Sequence, residues 1–118
     1  MYFSSWAELQ TLIPIHNGIW NKEYLCEYLV QSCNTSFENH IDQFFSEYEN
    51  DETLADMLFD ILLDDDYDGS DSQMGAAHYI SKLNKDVLKR KKERLLMAQA
   101  NDIFWKRPFK NDEYLKWI

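Results

Sequence analysis

The 118-residue chain is 45% apolar and 15% aromatic, with a net charge of −9. It has enough apolar material for one packed domain and too much for a disordered chain. Three Gly and two Pro are too few for a β-sandwich or barrel, no stretch approaches the ~18 apolar residues of a membrane span, and the N-terminus lacks the pattern of a secretory signal. The acidic balance argues against nucleic-acid phosphates and anionic lipid as partners, so the expected setting is the cytoplasm, with no membrane and no nucleic acid bound.

Helical periodicity runs through nearly the whole chain. Ser5-Trp6-Ala7-Glu8 reads as a capping box that starts a short helix, and Pro14 ends it. Asn21 is placed to cap a second helix, in which Tyr24, Leu25, Tyr28, Leu29 and Val30 cover most of the circumference and predict a central position. Thr35-Ser36-Phe37-Glu38 reads as another capping box, followed by Phe37, Ile41, Phe44, Phe45 and Tyr48 along one stripe. Asp51 caps a fourth helix with Leu54, Met57, Leu58, Ile61 and Leu62 inward. After a loop from Asp64 to Asp71, a fifth helix starts near Ser72 and carries Met74, Ala77, Ile80 and Leu83. Asn84 caps a sixth, running through Leu88, Leu95 and Leu96 to about Ala100. Beyond it, Phe104, Trp105, Phe109 and Trp117 are apolar enough to fold back, and Asn111 can cap a last turn. The pattern predicts an all-α single domain over 1–118, an antiparallel helical bundle or a short stack of helical hairpins. Cys26 and Cys33, seven apart in what reads as one helix, would lie roughly 10.5 Å apart along its axis, too far for a disulfide.

Charge is segregated along the chain. Between Glu23 and Ser81 stand fifteen acids without one Lys or Arg, whereas 82–118 carries eleven bases against five acids. Glu52, Asp56, Asp60 and Asp64 recur every four residues on the fourth helix. Each such like-charge pair costs about 0.2–0.5 kcal/mol on an isolated helix. Asp64, Asp65 and Asp66 then crowd a C-terminus that is already negative. On these grounds, reversing Asp60, Asp64 and Asp66 to Lys is expected to leave the fold intact or to stabilise it. The basic run Lys89-Arg90-Lys91-Lys92-Glu93-Arg94, with Lys82 and Lys85 before it, could form a nucleic-acid adaptor. Internal salt bridging to the fourth helix, or compensation of the helix dipole, is the expected use.

The loop was tested as a calcium site. Asp64, Asp66, Asp68, Gly69, Ser70 and Ser72 fill positions 1, 3, 5, 6, 7 and 9 of an EF-hand, but Gly75 stands where the bidentate Glu belongs, and Asp71 occupies the usually apolar position 8. An acidic interhelical loop is expected, with a weak calcium-dependent interaction module as the alternative. His16, His40 and His78 form no Glu-x-x-His or His-x-x-x-His pair, and no phosphate loop or nucleophile elbow is present. Neither an enzyme, a cofactor nor a metal is expected. His78, beside Ala76 and Ala77, is expected to pack inward. Tyr67, between Asp66 and Asp68, is a candidate interface anchor.

In its size, its helical pattern and its acid-rich segment Asp51 to Asp71, the chain resembles the small acidic helical immunity proteins of bacterial contact-dependent growth inhibition and related polymorphic toxin systems. The stretch from Leu62 through Asp64-Asp65-Asp66-Tyr67-Asp68-Gly69-Ser70-Asp71-Ser72 to Ala77 looks like an interhelical turn of such a protein. The resemblance implies tight binding to a cognate toxin, the C-terminal domain of a large exoprotein and often a basic nuclease, by covering its active site. A carboxylate array can fill a cationic cleft and speed association. The candidate contacts are Glu49, Glu52, Asp56, Asp60, Asp64, Asp65, Asp66, Tyr67, Asp68 and Asp71.

Overall fold

A computed structural model describes residues 5–64 and 71–118. The chain is all-α apart from one small hairpin. Its helices are α1 (Trp6–Leu9), α2 (Lys22–Gln31), α3 (Glu38–Ser46), α4 (Glu52–Leu62), α5 (Asp71–Ile80), α6 (Lys85–Arg90) and α7 (Lys92–Gln99). Single 3₁₀ turns follow at Gln10–Leu12, Phe104–Lys106 and Asp112–Lys116.

Side-chain caps fix several starts. Ser5, Asn21, Asp51 and Asn111 each accept a hydrogen bond from a backbone N–H of the turn they open, as expected from sequence, and Asn84 does the same for α6. The second expected capping box does not form. Asn34 instead takes the Ser36 N–H on its Oδ1 (2.9 Å) and the Phe37 and Glu38 N–H groups on its carbonyl, so Phe37 precedes α3 without a side-chain cap. An Asn side chain turned back on its own backbone competes directly with a downstream Ser or Thr cap.

Two strands, β1 (Ile15–His16) and β2 (Ile19–Trp20), form an antiparallel hairpin between α1 and α2. Its turn is Asn17-Gly18, with φ of 53° and 78°. Both values are positive, as a two-residue type I′ turn requires, and Asn and Gly tolerate them best. The hairpin delivers the buried Trp20, whose indole N–H donates to Asp51 Oδ2 (3.3 Å) while Asp51 Oδ1 accepts from Leu54 N (2.9 Å). One carboxylate thereby caps α4 and anchors the hairpin.

α5 is central and packs on both α2 and α4. Gly75 explains the first crossing: a Cβ there would lie 2.5 Å from the Leu29 carbonyl oxygen, so the backbones meet where only hydrogen fits. Gly75 is thus a packing residue of the interhelical contact. Gln73 explains the second. Fully buried, its amide N–H₂ donates to the carbonyls of Ile61 (3.2 Å), Leu62 (3.4 Å) and Asp64 (2.9 Å). Those are the orphan acceptors at the end of α4, satisfied here from a neighbouring helix. The core is drawn largely from the expected helical stripes, with Leu25, Leu29, Ile41, Leu54, Leu58, Ile61, Ile80 and Leu95 all buried, whereas Met74 and Leu96, expected on the fifth and sixth stripes, are exposed.

The helix expected over 84–100 is two helices broken at Lys91 (φ −108°, ψ 26°). The Lys91 N–H is shared between the Val87 and Leu88 carbonyls, and the chain bends there, so α6 and α7 both contact α4. The two cysteines do not share a helix either. α2 ends at Gln31, Cys33 follows in the turn, and neither cysteine is in a disulfide. The C-terminal segment folds back as expected. Gln99 exchanges two hydrogen bonds with the Phe109 backbone (3.0 and 2.8 Å), Tyr114 is buried, and Phe109 meets Trp117 edge-on. Phe104 is the exception, at 78% exposure.

Candidate functional site: an acidic face divided in two

The carboxylates fall into two groups. The first lies on α4. Glu52 pairs with Arg90 (2.7 Å), Asp56 with Lys91 (2.9 Å) and Arg94 (3.4 Å), and Asp60 with Arg94. The Arg94 guanidinium also donates to the Asp56 carbonyl (3.2 Å) and lies over the Phe59 ring at 5.5 Å. The like-charge row that looks costly in sequence is therefore interleaved with cations from α6 and α7. That is the internal use expected for the basic run. It employs Arg90, Lys91 and Arg94, whereas Lys89 and Lys92 stay exposed without an ion pair. A single exposed pair contributes about 0–1 kcal/mol, but Lys91 and Arg94 are largely covered (19% and 31% exposed side chains) and share Asp56, which makes this a network. The expectation that Asp60→Lys would be neutral or stabilising is corrected accordingly: it would place an ammonium against Arg94.

The second group has no Lys or Arg against it. Glu38 and Asp42, one turn apart on α3, line a shallow depression of about 420 Å³ together with Ser32, Cys33, Met74 and His78. Asp71, the exposed first residue of α5, lies close enough for its charge, after burial, to push the Cys33 thiol upward in pKa, with a Ser32 hydrogen bond opposing both. Asp42 is held in place. Its Oδ1 accepts from the Tyr79 hydroxyl (2.6 Å), and His78 Nε2 stands 3.8 Å from the same oxygen. Burial first, and then the hydrogen bond and charge of Asp42, drive the Tyr79 phenol well above its ordinary pKa. His78 has a half-exposed side chain at the rim of the depression and is not packed inward, because α5 turns this side of itself toward α3 and solvent. A raised thiol is a poor nucleophile at neutral pH, so Cys33 beside His78 and Asp42 does not make an activated cysteine.

The remaining sequence candidates distribute as follows. Glu49 is exposed after α3, and its carbonyl accepts from Asn84 N (2.9 Å). Asp64 sits at the end of α4, with its carbonyl taken by Gln73. Asp65, Asp66, Tyr67 and Asp68 lie outside the described residues. The structure thus brings Glu52, Asp56 and Asp60 together as an internal network and sets Asp71 apart from them. Sequence reasoning did not single out Glu38, Asp42 or Tyr79. The only signal available was the four-residue spacing of Glu38 and Asp42 on the polar side of an amphipathic helix. Among the described residues no group of three His, Cys, Asp or Glu side chains could hold a metal ion, and no helix is long and apolar enough to cross a membrane.

No protein-family model matches this chain, and neither does any curated protein or solved structure.

Proposed function

We propose that the protein is a toxin-neutralising immunity protein, which binds a cationic protein domain through the acids of α3 and the start of α5 that meet no Lys or Arg among the described residues. The observation that carries this reading is the absence of any Lys or Arg from the depression lined by Glu38 and Asp42, in a molecule whose α4 acids are answered individually by cations. Carboxylates left without a counter-charge gain most from an incoming ammonium or guanidinium, and the field they create speeds the encounter. Asp42 is preset by Tyr79, so less ordering accompanies binding. Of the sequence candidates, Asp71 remains in this proposed surface. Glu52, Asp56 and Asp60 serve chiefly to hold α6 and α7.

The test is co-expression with the toxin domain encoded at the end of the neighbouring exoprotein gene, scored by growth and by co-purification. Reversal of Glu38 and Asp71 to Lys is expected to abolish protection with an unchanged circular-dichroism spectrum. Full protection by that folded variant would reject the reading.

A further inference from the structure

The opposite flank of α5 carries a second groove with the reverse chemistry. It has a volume of about 820 Å³ and runs between α5 and the C-terminal segment. That is within the range of formed binding sites rather than of packing defects. Its apolar surface comes from Met74, Phe104 and Phe109, of which Met74 is 42% and Phe104 78% exposed. Its charge comes from Lys82, Arg107 and Lys110, and no carboxylate lines it. None of the three cations has an ion pair among the described residues. Arg107 is nevertheless positioned: its Nε donates to the Asn101 carbonyl (2.7 Å) and its Nη2 reaches the Asp102 carbonyl (3.5 Å). The groove wall is pinned by the paired hydrogen bonds between Gln99 and Phe109.

An exposed Phe beside three uncompensated cations suits two kinds of polyanion, a single nucleic-acid strand stacked on aromatics or an acidic polypeptide. The neighbourhood decides between them. Met74 and His78 border both this groove and the acidic depression, so the two are continuous across α5. A strand with a phosphate at every residue would run from Lys82 into Glu38 and Asp42. A polypeptide can place its acids only where the cations are and an apolar side chain against Met74 and Phe104.

We propose that this groove binds an extended acidic polypeptide segment of a partner protein, anchored by an aromatic or aliphatic side chain against Phe104 and Met74, with its carboxylates on Lys82, Arg107 and Lys110. This surface meets the one assigned to the cationic toxin at Met74 and His78, but its cations lie outside that surface and the proposal does not depend on that assignment.

Fluorescence anisotropy with the full chain tests it, using a labelled short peptide of alternating Asp and Phe, the same peptide with Lys for Asp, and a labelled oligothymidylate. The Asp–Phe peptide is expected to bind with saturation. Lys82→Glu with Lys110→Glu should weaken it by about tenfold or more, a change of about 1.4 kcal/mol. Phe104→Ser should weaken it comparably, and since Phe104 is already in water this change leaves the core untouched. Circular dichroism and melting of each variant should match the parent. Failure of the Asp–Phe peptide to bind, equal binding by the Lys peptide, tighter binding by the oligonucleotide, or indifference to both sets of substitutions would each overturn the proposal.

Discussion

Helices α3 and α4 both present carboxylates four residues apart, Glu38 and Asp42 on one and Glu52, Asp56 and Asp60 on the other. On α4 every one of them meets a cation from α6, α7 or the Lys91 bend between them. On α3 none meets a Lys or Arg, and Asp42 is held instead by a neutral phenol. The same local pattern thus does two things. On α4 it fastens a distant helix pair, across sequence separations of 34 and 38 residues. On α3 it is left without a Lys or Arg among the described residues, as the proposed partner surface requires. A run of one sign along the chain is not a run of one sign on the surface, because the compensating charges are supplied by whichever helix packs alongside.

The comparison can be broken hardest at Gly75, whose contact with Leu29 holds α5 against α2 and so shapes both sides of α5. Gly75→Val is expected to cost about 3 kcal/mol or more, since backbone rather than a flexible side chain would have to move. A thermal melt should show a large fall in Tm, or no cooperative transition at all.

Next is the α4 network itself. Asp60→Lys and Arg94→Glu should each lower stability by about 1 kcal/mol, and the double reversal should recover much of the loss. Urea unfolding of the four proteins of that cycle gives the coupling directly. Additive losses would mean that the pair contributes nothing. Reversals on the other side, at Glu38 and Asp71, break no Lys or Arg pair among the described residues and should cost only the helix-dipole contribution, about 0.3–1 kcal/mol per charge.

Tyr79 sharpens the α3 side. Tyr79→Phe removes the bond to Asp42 and should cost about 1 kcal/mol at neutral pH. The phenol also predicts a pH dependence. Its pKa is raised in the folded state above the ordinary value of 10.0, so in more alkaline solution the unfolded chain gives up a proton that the folded chain retains. Stability is full below that pH and falls as pH rises above it. Tyr79→Phe should lose part of this alkaline sensitivity, measured as Tm against pH.

The smallest effect concerns Cys33. Removing the negative charge with Asp71→Asn should lower the thiol pKa and raise its rate of alkylation at neutral pH. An unchanged rate would show that Asp71 does not influence the depression.

How much of this was readable in the sequence depended on how local each cause was. Caps at Ser5, Asn21, Asp51, Asn84 and Asn111 act within one turn, and they were legible, as were the apolar stripes that became the core. The Asn17-Gly18 hairpin was equally local and carried the strongest short hairpin signal there is, but the helical periodicity on both sides masked it. The break at Lys91 has no Gly or Pro to announce it. It lies where α6 and α7 must both reach α4. Gly75 reads in sequence only as a misfit in a loop motif, and Gln73 is not singled out at all, because their partners, Leu29 and the end of α4, are remote in the chain. For the candidate site the same rule holds. The sequence shows which residues are acidic, while packing decides which of them are already spoken for.

The division of the acids is tested most directly by one paired experiment, protection of cells expressing the proposed toxin partner and melting temperature measured on the same two variants. Glu38→Lys with Asp71→Lys should abolish protection with only the modest fall in Tm expected from losing two helix N-terminal charges, whereas Asp56→Asn with Asp60→Asn should lower Tm and still protect wherever the protein is folded. Protection lost with the α4 pair and retained with the α3–α5 pair, at equal folded protein, would contradict the account.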